Sequence, residues 1–258
     1  MRDMYGDLDR PPLRAAALDR ALAPDGWRVE VLDRAGSTNA LVAERARAGE
    51  PSGLVLVAEE QTAGRGRLDR TWVSPPAAGL TFSVLLRPPA EPEQLGWLPL
   101  WGGLAVARAV REQAGVDAVL KWPNDVLVGG RKVAGLLAEA VTGPGGTAVV
   151  LGIGLNVTTR AEELPAPTGV APTSLLLEAA ATTDRESLLK AILRSLTGTI
   201  GDRDVTAYRQ ACATLGKWVR IELPGGQAVE GTAEAVDDQG RLVVDGTAFA
   251  AGDVVHLR

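Results

Sequence analysis

The centre of the chain carries a succession of short apolar segments that are separated by tight turns rather than by helices. Apolar runs extend over 118–122, 125–128, 132–141 and 148–157, and Gly129-Gly130 separates the second run from the third. Gly-Gly between two apolar runs favours a two-residue hairpin, which joins antiparallel strands. Parallel strands would need long crossover connections instead. We therefore predict an α+β domain with a mixed, mainly antiparallel sheet rather than a doubly wound parallel sheet.

The last 42 residues have a different character from the rest of the chain. They hold short strand-like runs, which turn signals such as Pro224-Gly225-Gly226 and Asp245-Gly246 separate. Short strands with frequent turns are typical of a small β-barrel. At 258 residues the chain is long enough for a large domain and a small one. We predict a large domain over 1–215 and a small barrel over 216–258.

Apolar periodicity and end signals predict the remaining helices and strands. The predicted helices cover 13–22, Ser37 to about Ala48, 94–114 and roughly 174–181, 184–200 and 204–214. The predicted strands cover 27–32, 54–58 and 80–86. A proline-containing stretch over 159–173 is predicted to be a loop.

Cysteine and histidine are nearly absent, which limits the chemistry of the chain. Cys212 is the single cysteine and His256 is the single histidine. An intrachain disulfide and a His/Cys zinc site are therefore excluded, and a Ser-His-Asp triad is excluded unless it uses His256. Any catalysis must use arginine, lysine, carboxylate and amide groups. A Mg²⁺ ion bound by carboxylates is the metal that suits these groups.

The net charge and the N-terminal sequence bear on partners and location. The formal net charge is −5, whereas a nucleic-acid-binding domain carries a basic stripe and a high pI. The first residues have no apolar core of signal-peptide length, and no apolar run reaches the roughly 18 residues of a membrane span. We expect a cytoplasmic protein that has neither a nucleic-acid partner nor a membrane partner.

A segment rich in glycine and arginine is the first candidate functional site. It places Arg65, Arg67 and Arg70 within six residues, and Gly64 and Gly66 lie among them. Arginine matches the geometry of carboxylate and phosphate oxygens, and glycine lets the backbone approach a ligand. The spacing fits neither a Walker-A loop nor a dinucleotide fingerprint, so the segment is either an anion-binding loop or an exposed basic turn.

Charged groups also interrupt two neighbouring apolar strands. Lys121 and Asp125 lie among residues that should be buried, where a charge is costly unless it is paired or bound to a ligand. They either form a structural ion pair, or Lys121 meets a phosphate and Asp125 binds Mg²⁺. Lys132 is one of four lysines in an arginine-rich chain. It is either a compact cation for a reacting oxygen or a solvated hairpin residue.

Two further segments combine polar groups with small residues. Gly152 and Gly154 lie inside an apolar strand and leave a shallow surface for a flat ligand or for a neighbouring helix. Asn156 follows them as an isolated amide that needs a hydrogen-bond partner. The turn at 36–39, whose sequence is Gly-Ser-Thr-Asn, is typical of a helix N-cap.

Taken in order, these motifs resemble those of the biotin–protein ligase family, whose members are also called biotin–acetyl-CoA-carboxylase ligases. The motifs are GSTN at 36–39, EEQTAGRGR at 59–67, KWPND at 121–125, RKVAGLLAE at 131–139 and GIGLNV at 152–157. The resemblance covers nearly all of the chain from residue 31 to 258, and the GRGR and KWPND motifs are specific to this family. It implies a catalytic domain related to class II aminoacyl-tRNA synthetases and lipoate ligases, followed by a small Src-homology-like β-barrel.

The resemblance also implies a reaction and a role for each matching residue. Biotin and Mg·ATP would form biotinyl-5′-adenylate, which would acylate a lysine in the biotin carboxyl carrier protein domain of an acyl-CoA carboxylase. The implied biotin-binding residues are Ser37, Thr38, Asn39, Gln61, Gly64, Arg65, Gly66, Arg67, Lys132, Gly135 and Leu137. The implied ATP-binding residues are Arg67, Arg70, Trp72, Lys121, Asn124 and Asn156. Lys132, Arg67 and Asp125 would be catalytic, and Asp125 would hold the metal.

The resemblance leaves several alternatives open. Some family members carry an N-terminal DNA-binding domain and act as repressors, but 36 residues precede Ser37 here. We therefore expect a ligase without a repressor role, which is a monomer or a weak homodimer. A lipoate or octanoate ligase of the same fold and a biotin-sensing regulator are the alternatives. The KWPND–RKVAG pairing disfavours the first of these, and the presence of Lys132, Arg67 and Asp125 disfavours the second.

Overall fold

The computed structural model describes residues 10–67, 70–87, 92–167, 169–223 and 226–257. The helices are α1 (Ala15–Leu22), α2 (Thr38–Arg47), α3 (Leu98–Ala114), α4 (Arg185–Asp202) and α5 (Val205–Ala211), with short 3₁₀ segments at Ala23–Asp25, Pro92–Trp97 and Ala161–Glu163. The strands of the large domain are β1 (Arg28–Leu32), β2 (Leu54–Ala58), β3 (Gly79–Leu86), β4 (Ala118–Lys121), β5 (Asp125–Val128), β6 (Arg131–Gly143) and β7 (Gly146–Asn156). The C-terminal strands are β8 (Trp218–Glu222), β9 (Ala228–Val236), β10 (Leu242–Val244), β11 (Thr247–Phe249) and β12 (Asp253–His256). None of the helices in the described ranges is long and apolar enough to cross a membrane.

Strands β1 to β7 form a seven-stranded sheet in the order β1-β2-β3-β7-β6-β5-β4. β1 pairs with β2 in parallel, and the other neighbouring strands pair antiparallel. Gly129 and Gly130 join β5 to β6 with φ values of 56° and 75°, as a two-residue hairpin of this type requires. The predicted α+β fold with a mainly antiparallel sheet is confirmed.

The two faces of this sheet are covered differently. Helices α3 and α4 pack over one face, where Trp97 stacks on Trp101 with ring centroids 5.7 Å apart and Tyr208 meets Trp97 edge-on at 5.5 Å. Helix α2 packs Val42 and Ala46 against one end of the other face. The rest of that second face borders a cavity.

Strands β8 to β12 form a second, five-stranded antiparallel sheet in the order β11-β10-β9-β8-β12. Two tryptophans of the large domain hold it in place. The indole N–H of Trp97 donates to the carbonyl of Asp238, and that of Trp122 donates to the carbonyl of Gly240, both at 3.0 Å. The domain boundary near residue 216 stays a prediction.

One predicted helix is wrong and another is shorter than predicted. Residues 175–179 form turns instead of a helix over 174–181. The hydroxyl of Ser174 accepts the N–H of Leu177 at 3.2 Å, and Ala179 has a φ of 52°, which a right-handed helix does not accommodate. The helix predicted over 204–214 ends at Ala211, because the next residue, Cys212, has extended backbone angles.

Candidate active site

A cavity of about 1000 Å³ lies on the second face of the seven-stranded sheet, under the Gly/Arg segment and beside the small sheet. Among the candidates from the sequence, all but Gly64 line it. These are Ser37, Thr38, Asn39, Gln61, Arg65, Gly66, Arg67, Arg70, Trp72, Lys121, Asn124, Asp125, Lys132, Gly135, Leu137 and Asn156. The fold therefore brings motifs that are distant in sequence to one concave surface, as is usual for a ligand site.

Glycines of β6 and β7 form the floor of the cavity. Gly135 pairs with Gly154, and Gly152 pairs with Leu137 in the register of these strands. The indole of Trp72 lies directly on the Gly135–Gly154 pair. A Cβ atom at Gly154 would overlap the indole, and one at Gly135 would lie 3.2 Å from it. Any larger side chain at these positions would lift the indole from the floor.

Hydroxyl and amide groups meet at one end of this floor, which we call the polar end. The side-chain oxygen Oε1 of Gln61 accepts the backbone N–H of Thr38 at 2.7 Å and lies 3.1 Å from the hydroxyl of Thr38. The hydroxyl of Ser83 lies 2.7 Å from that of Thr38 and is fully buried. Ser83 was not a candidate from the sequence, although a hydroxyl among the apolar residues of a buried strand needs a hydrogen-bond partner and could have indicated it.

Protein groups engage both sides of the Asn39 amide at the polar end. Its Oδ1 accepts the hydroxyl of Ser83 at 2.6 Å, and its Nδ2 donates to the carbonyl of Leu137 (3.3 Å) and to Glu139 (2.7 Å). A Cβ atom at Gly152 would overlap Asn39 Oδ1. Asn39 therefore orients its neighbours, since both of its N–H groups are already used. The predicted N-cap is confirmed at Ser37, directly before α2, where the Ser37 hydroxyl accepts the N–H of Ala40.

The arginines of the Gly/Arg segment contact three different sides of the cavity. The contacts are Arg65 Nη2 to Glu139 (3.2 Å), Arg67 Nη1 to Asn124 Oδ1 (3.3 Å) and Arg70 to Asp253 of β12. Gly64 lies against the backbone of Trp72, where a Cβ atom would come within 2.5 Å of the Trp72 carbonyl oxygen. Burial lowers the pKa of the Arg67 guanidinium, and nearby Asp125 acts in the opposite direction. An anion that entered here would meet a half-buried, incompletely neutralised cation.

Asp125 lies between two lysines near the centre of the cavity. Lys132 Nζ is 2.5 Å from Asp125 Oδ1, and Lys121 Nζ is 3.8 Å from Oδ2. The approach of Lys132 is not aligned as a hydrogen bond, and Oδ1 has no hydrogen-bond partner within the described residues. Lys121 is 4% exposed, and burial lowers its pKa. The predicted contact of Lys121 with Asp125 is present, so a phosphate role for Lys121 would require this ion pair to be shared with a ligand.

The donor set around Asp125 bears on the predicted magnesium ion. Within the described ranges, no three His, Cys, Asp or Glu side chains lie together as a complete metal site. Mg²⁺ in nucleotide sites is commonly held by one or two carboxylates together with substrate phosphates. Asp125 could supply one such carboxylate, because its buried Oδ1 lacks a hydrogen bond, but a metal ion there would have to displace the contact that Lys132 Nζ makes with Oδ1 at 2.5 Å.

The proline-containing loop forms a further wall of the cavity, which sequence reasoning missed. Pro165, Pro167 and Pro172 all line it. Asn156 Nδ2 donates to the carbonyl of Thr173 at 2.9 Å and so fixes the end of this loop. Nothing in the composition of the loop indicated that it would fold over the sheet.

His256 of the small sheet also lines the cavity. Its Nε2 lies 3.1 Å from the hydroxyl of Thr214, which accepts the N–H of Trp122 at 3.0 Å. Burial, followed by the charges of Lys121 and Lys217, lowers the pKa of His256 below its ordinary value of 6.5.

This lowered pKa predicts how stability depends on pH. Between the ordinary value and the lowered pKa of the folded chain, the unfolded chain binds a proton at His256 that the folded chain does not bind, so the free energy of unfolding falls as the pH falls through this window. Chemical denaturation from about pH 7.5 to about pH 5.5 should show a larger loss for the wild type than for His256→Gln. Equal losses for the two proteins would contradict the assignment.

The chain consists of a large α+β domain that carries the cavity and a small sheet domain that follows it, and two models of ligase families match these parts in the same order. The "Biotin/lipoate A/B protein ligase family" model matches residues 31–156, and the "Biotin protein ligase C terminal domain" model matches residues 214–257. A biotin–[acetyl-CoA-carboxylase] ligase of Mycobacterium tuberculosis is 44% identical over 96% of this chain and 97% of its own length. The chain belongs to the biotin/lipoate A/B protein ligase family.

Two further relatives agree with this placement. A biotin–[acetyl-CoA-carboxylase] ligase of Paracoccus denitrificans is 34% identical, over 84% of this chain and 94% of its own length. The structure of a biotin protein ligase from Aquifex aeolicus in complex with biotin and ATP is similar, with a TM-score of 0.73 and 28% identity. That similarity covers 89% of this chain and 98% of the Aquifex chain.

Proposed function

We propose that this protein is a biotin–protein ligase that joins biotin and ATP to biotinyl-5′-adenylate and passes biotin to a lysine of a biotin carboxyl carrier protein domain of acyl-CoA carboxylase. The observation that carries the proposal is the position of Lys132. Lys132 lies beside Asp125, and its Nζ is 5.9 Å from the centre of the Trp72 ring. The polar end and the arginines of the Gly/Arg segment line the same cavity. The close relatives that carry this activity in their names support the same substrates.

The polar end suits the ureido ring of biotin. That ring is flat and presents N–H donors and a carbonyl acceptor, so it matches a glycine floor with hydroxyl and amide groups at one end. Thr38 and Gln61 are the proposed direct contacts of the ureido ring. Ser37 lies beside them, and Asn39 orients the neighbouring side chains of the polar end. Gly135 and Leu137 would line the apolar part of the pocket, and residues 64–67 would cover it.

The opposite side of the cavity suits the reacting anions. A carboxylate oxygen of biotin would attack the α-phosphorus of ATP, the bond to the β-phosphate oxygen would break, and pyrophosphate would leave. Two anions must meet, so Arg67, Arg70 and Lys121 would offset their repulsion, and Lys132 would stabilise charge at the new bond. The Mg²⁺ ion, which Asp125 would hold together with phosphate oxygens, supplies further charge neutralisation.

The remaining cavity residues suit the nucleotide and the second half of the reaction. Trp72 would stack on the adenine, and Asn124 and Asn156 would contact the nucleotide. The carrier lysine amine would then attack the carbonyl carbon of the adenylate, AMP would leave, and the amine would lose a proton. The covering loop would protect the adenylate from water until that step.

The test of the full reaction uses a purified biotin carboxyl carrier domain as acceptor. Intact-mass measurement should show addition of one biotinyl group that depends on biotin and ATP. A carrier in which arginine replaces the acceptor lysine should remain unmodified. An unmodified wild-type carrier would refute the transfer step, and a carrier that gained lipoyl or octanoyl groups instead would favour the alternative ligase activity that the family description includes.

The polar end predicts the effect of Gly152→Ala. The new methyl group would displace the Asn39 amide and break its hydrogen bonds, so we expect the Kd for biotin to rise about tenfold or more. Isothermal titration calorimetry measures this change directly. Gly198→Ala, which places the same methyl group in open space on α4, is the matched control and should bind biotin normally. Normal binding by both variants would contradict the proposed biotin pocket.

A further inference from the structure

Lys132 lies at an irregularity in the sheet. The register of β5 and β6 shifts by one residue beside it, so that Val133 is an extra residue on β6. A bulge of this kind interrupts the ladder and redirects a side chain. The backbone of Lys132 instead forms hydrogen bonds with residues outside the sheet. Its N–H donates to the carbonyl of Ala171 and its carbonyl accepts the N–H of Thr173, both at 2.8 Å.

Glu178 in turn contacts Arg131, the residue before Lys132, and Thr173, one of the two residues that hydrogen-bond the Lys132 backbone. Its Oε1 accepts the buried hydroxyl of Thr173 at 2.6 Å and lies 2.9 Å from Arg131 Nη2. Its Oε2 would lie 3.5 Å from a Cβ atom at Gly129, which places the carboxylate at the tip of the β5–β6 hairpin. The Glu178 side chain is 9% exposed, whereas that of Arg131 is 48% exposed. One carboxylate therefore joins the residue before Lys132 to the segment that clamps it.

We propose that Glu178 is a positioning residue for Lys132 in adenylate formation. This inference rests on the proposed function, in which Lys132 acts at the bond being made. Loss of the carboxylate leaves the Thr173 hydroxyl buried without its acceptor and releases the hairpin tip. The bulge then has one anchor fewer, and Lys132 Nζ shifts relative to the reacting oxygens. Displacements of about 1 Å are enough to slow a reaction about 100-fold.

The test measures single-turnover formation of the biotinyl-adenylate at saturating biotin and ATP. Glu178→Ala should slow this step by up to about 100-fold while the Kd for biotin stays unchanged, because the polar end is untouched. Glu178→Gln should recover most of the rate, since its amide oxygen still accepts the Thr173 hydroxyl. Glu162→Ala, which removes an exposed carboxylate, is the control. Thr173→Val removes the same hydrogen bond from the other side and replaces Glu178→Ala if that variant does not fold.

A double-mutant cycle with Lys132→Ala separates positioning from general stability. If Glu178 acts through Lys132, Glu178→Ala should slow the Lys132→Ala protein no further. Rate losses that multiply in the double variant would overturn the proposal, and so would a wild-type rate in both Glu178→Ala and Thr173→Val. Failure of the wild type to form any adenylate would refute the proposed function instead, so the two failures are distinguishable.

Discussion

Replacement of Lys132 by alanine is expected to slow biotin-dependent ATP–pyrophosphate exchange about 1000-fold, the largest effect on activity that we predict for a single substitution. The lysine ammonium is the cation closest to Asp125, and it lies over the floor of the cavity. Its loss would remove the charge that stabilises the meeting of carboxylate and α-phosphate. Lys132→Arg should not restore the rate, because a planar guanidinium cannot reproduce a compact ammonium at this position.

Lys190→Ala is the matched control for this experiment. Lys190 lies on α4 and does not line the cavity. Its removal should leave the exchange rate unchanged. If Lys132→Ala retained the exchange activity of Lys190→Ala, Lys132 would not be the residue at the reacting bond.

Arg185→Ala is expected to cause the largest loss of stability. The guanidinium is 5% exposed and lies 2.5 Å from Glu59, whose side chain is 11% exposed. It also donates to the carbonyl of Pro11 at 2.5 Å, and Glu59 accepts the N–H of Leu13 at 2.6 Å. Removal of the cation would leave a buried carboxylate unpaired, which costs about 3–5 kcal/mol. We expect the Tm to fall by roughly 6 to 20 °C in differential scanning calorimetry.

Arg14→Ala provides a comparison for this stability prediction. Arg14 pairs with Glu186, but its side chain is 76% exposed. An exposed pair contributes little, because water and salt screen its charges, so the Tm should fall only slightly. The double variant Arg185→Ala/Glu59→Ala should lose less stability than the sum of the two single variants, because no unpaired charge remains. Equal Tm losses for Arg185→Ala and Arg14→Ala would contradict the account.

The fold was largely predictable because its signals are local. The Gly129-Gly130 turn and the apolar runs on either side of it specify a hairpin, and this hairpin is present as β5 and β6. The helix predicted over 174–181 is wrong, since the leucines and alanines there favour a helix while Ser174 and the positive φ of Ala179 impose turns. Apolar composition alone could not report that side-chain hydrogen bond.

The candidate site was predictable only in part, since motifs identify residues but not their distant partners. Lys121 and Asp125 are four residues apart, and their contact could be anticipated. Ser83 lies outside the matched motifs, and only the fold brings it to Thr38 at the cavity. Asp253 and His256 lie in the terminal segment GDVVHLR at 252–258, which also resembles the family, but that segment does not indicate their partners. Tertiary register places Ser83 opposite Gly152, and no sequence period indicates this pairing.

The central claim is that the cavity activates biotin as an adenylate, and ATP–pyrophosphate exchange tests it most directly. Wild-type protein should exchange labelled pyrophosphate into ATP when biotin is present and should not do so with lipoate, with octanoate or without an acid. Exchange that biotin supports and the other two acids do not would establish both the adenylation reaction and biotin as the acid that the polar end binds. Exchange that lipoate or octanoate supported equally well, or no exchange with biotin, would contradict the account.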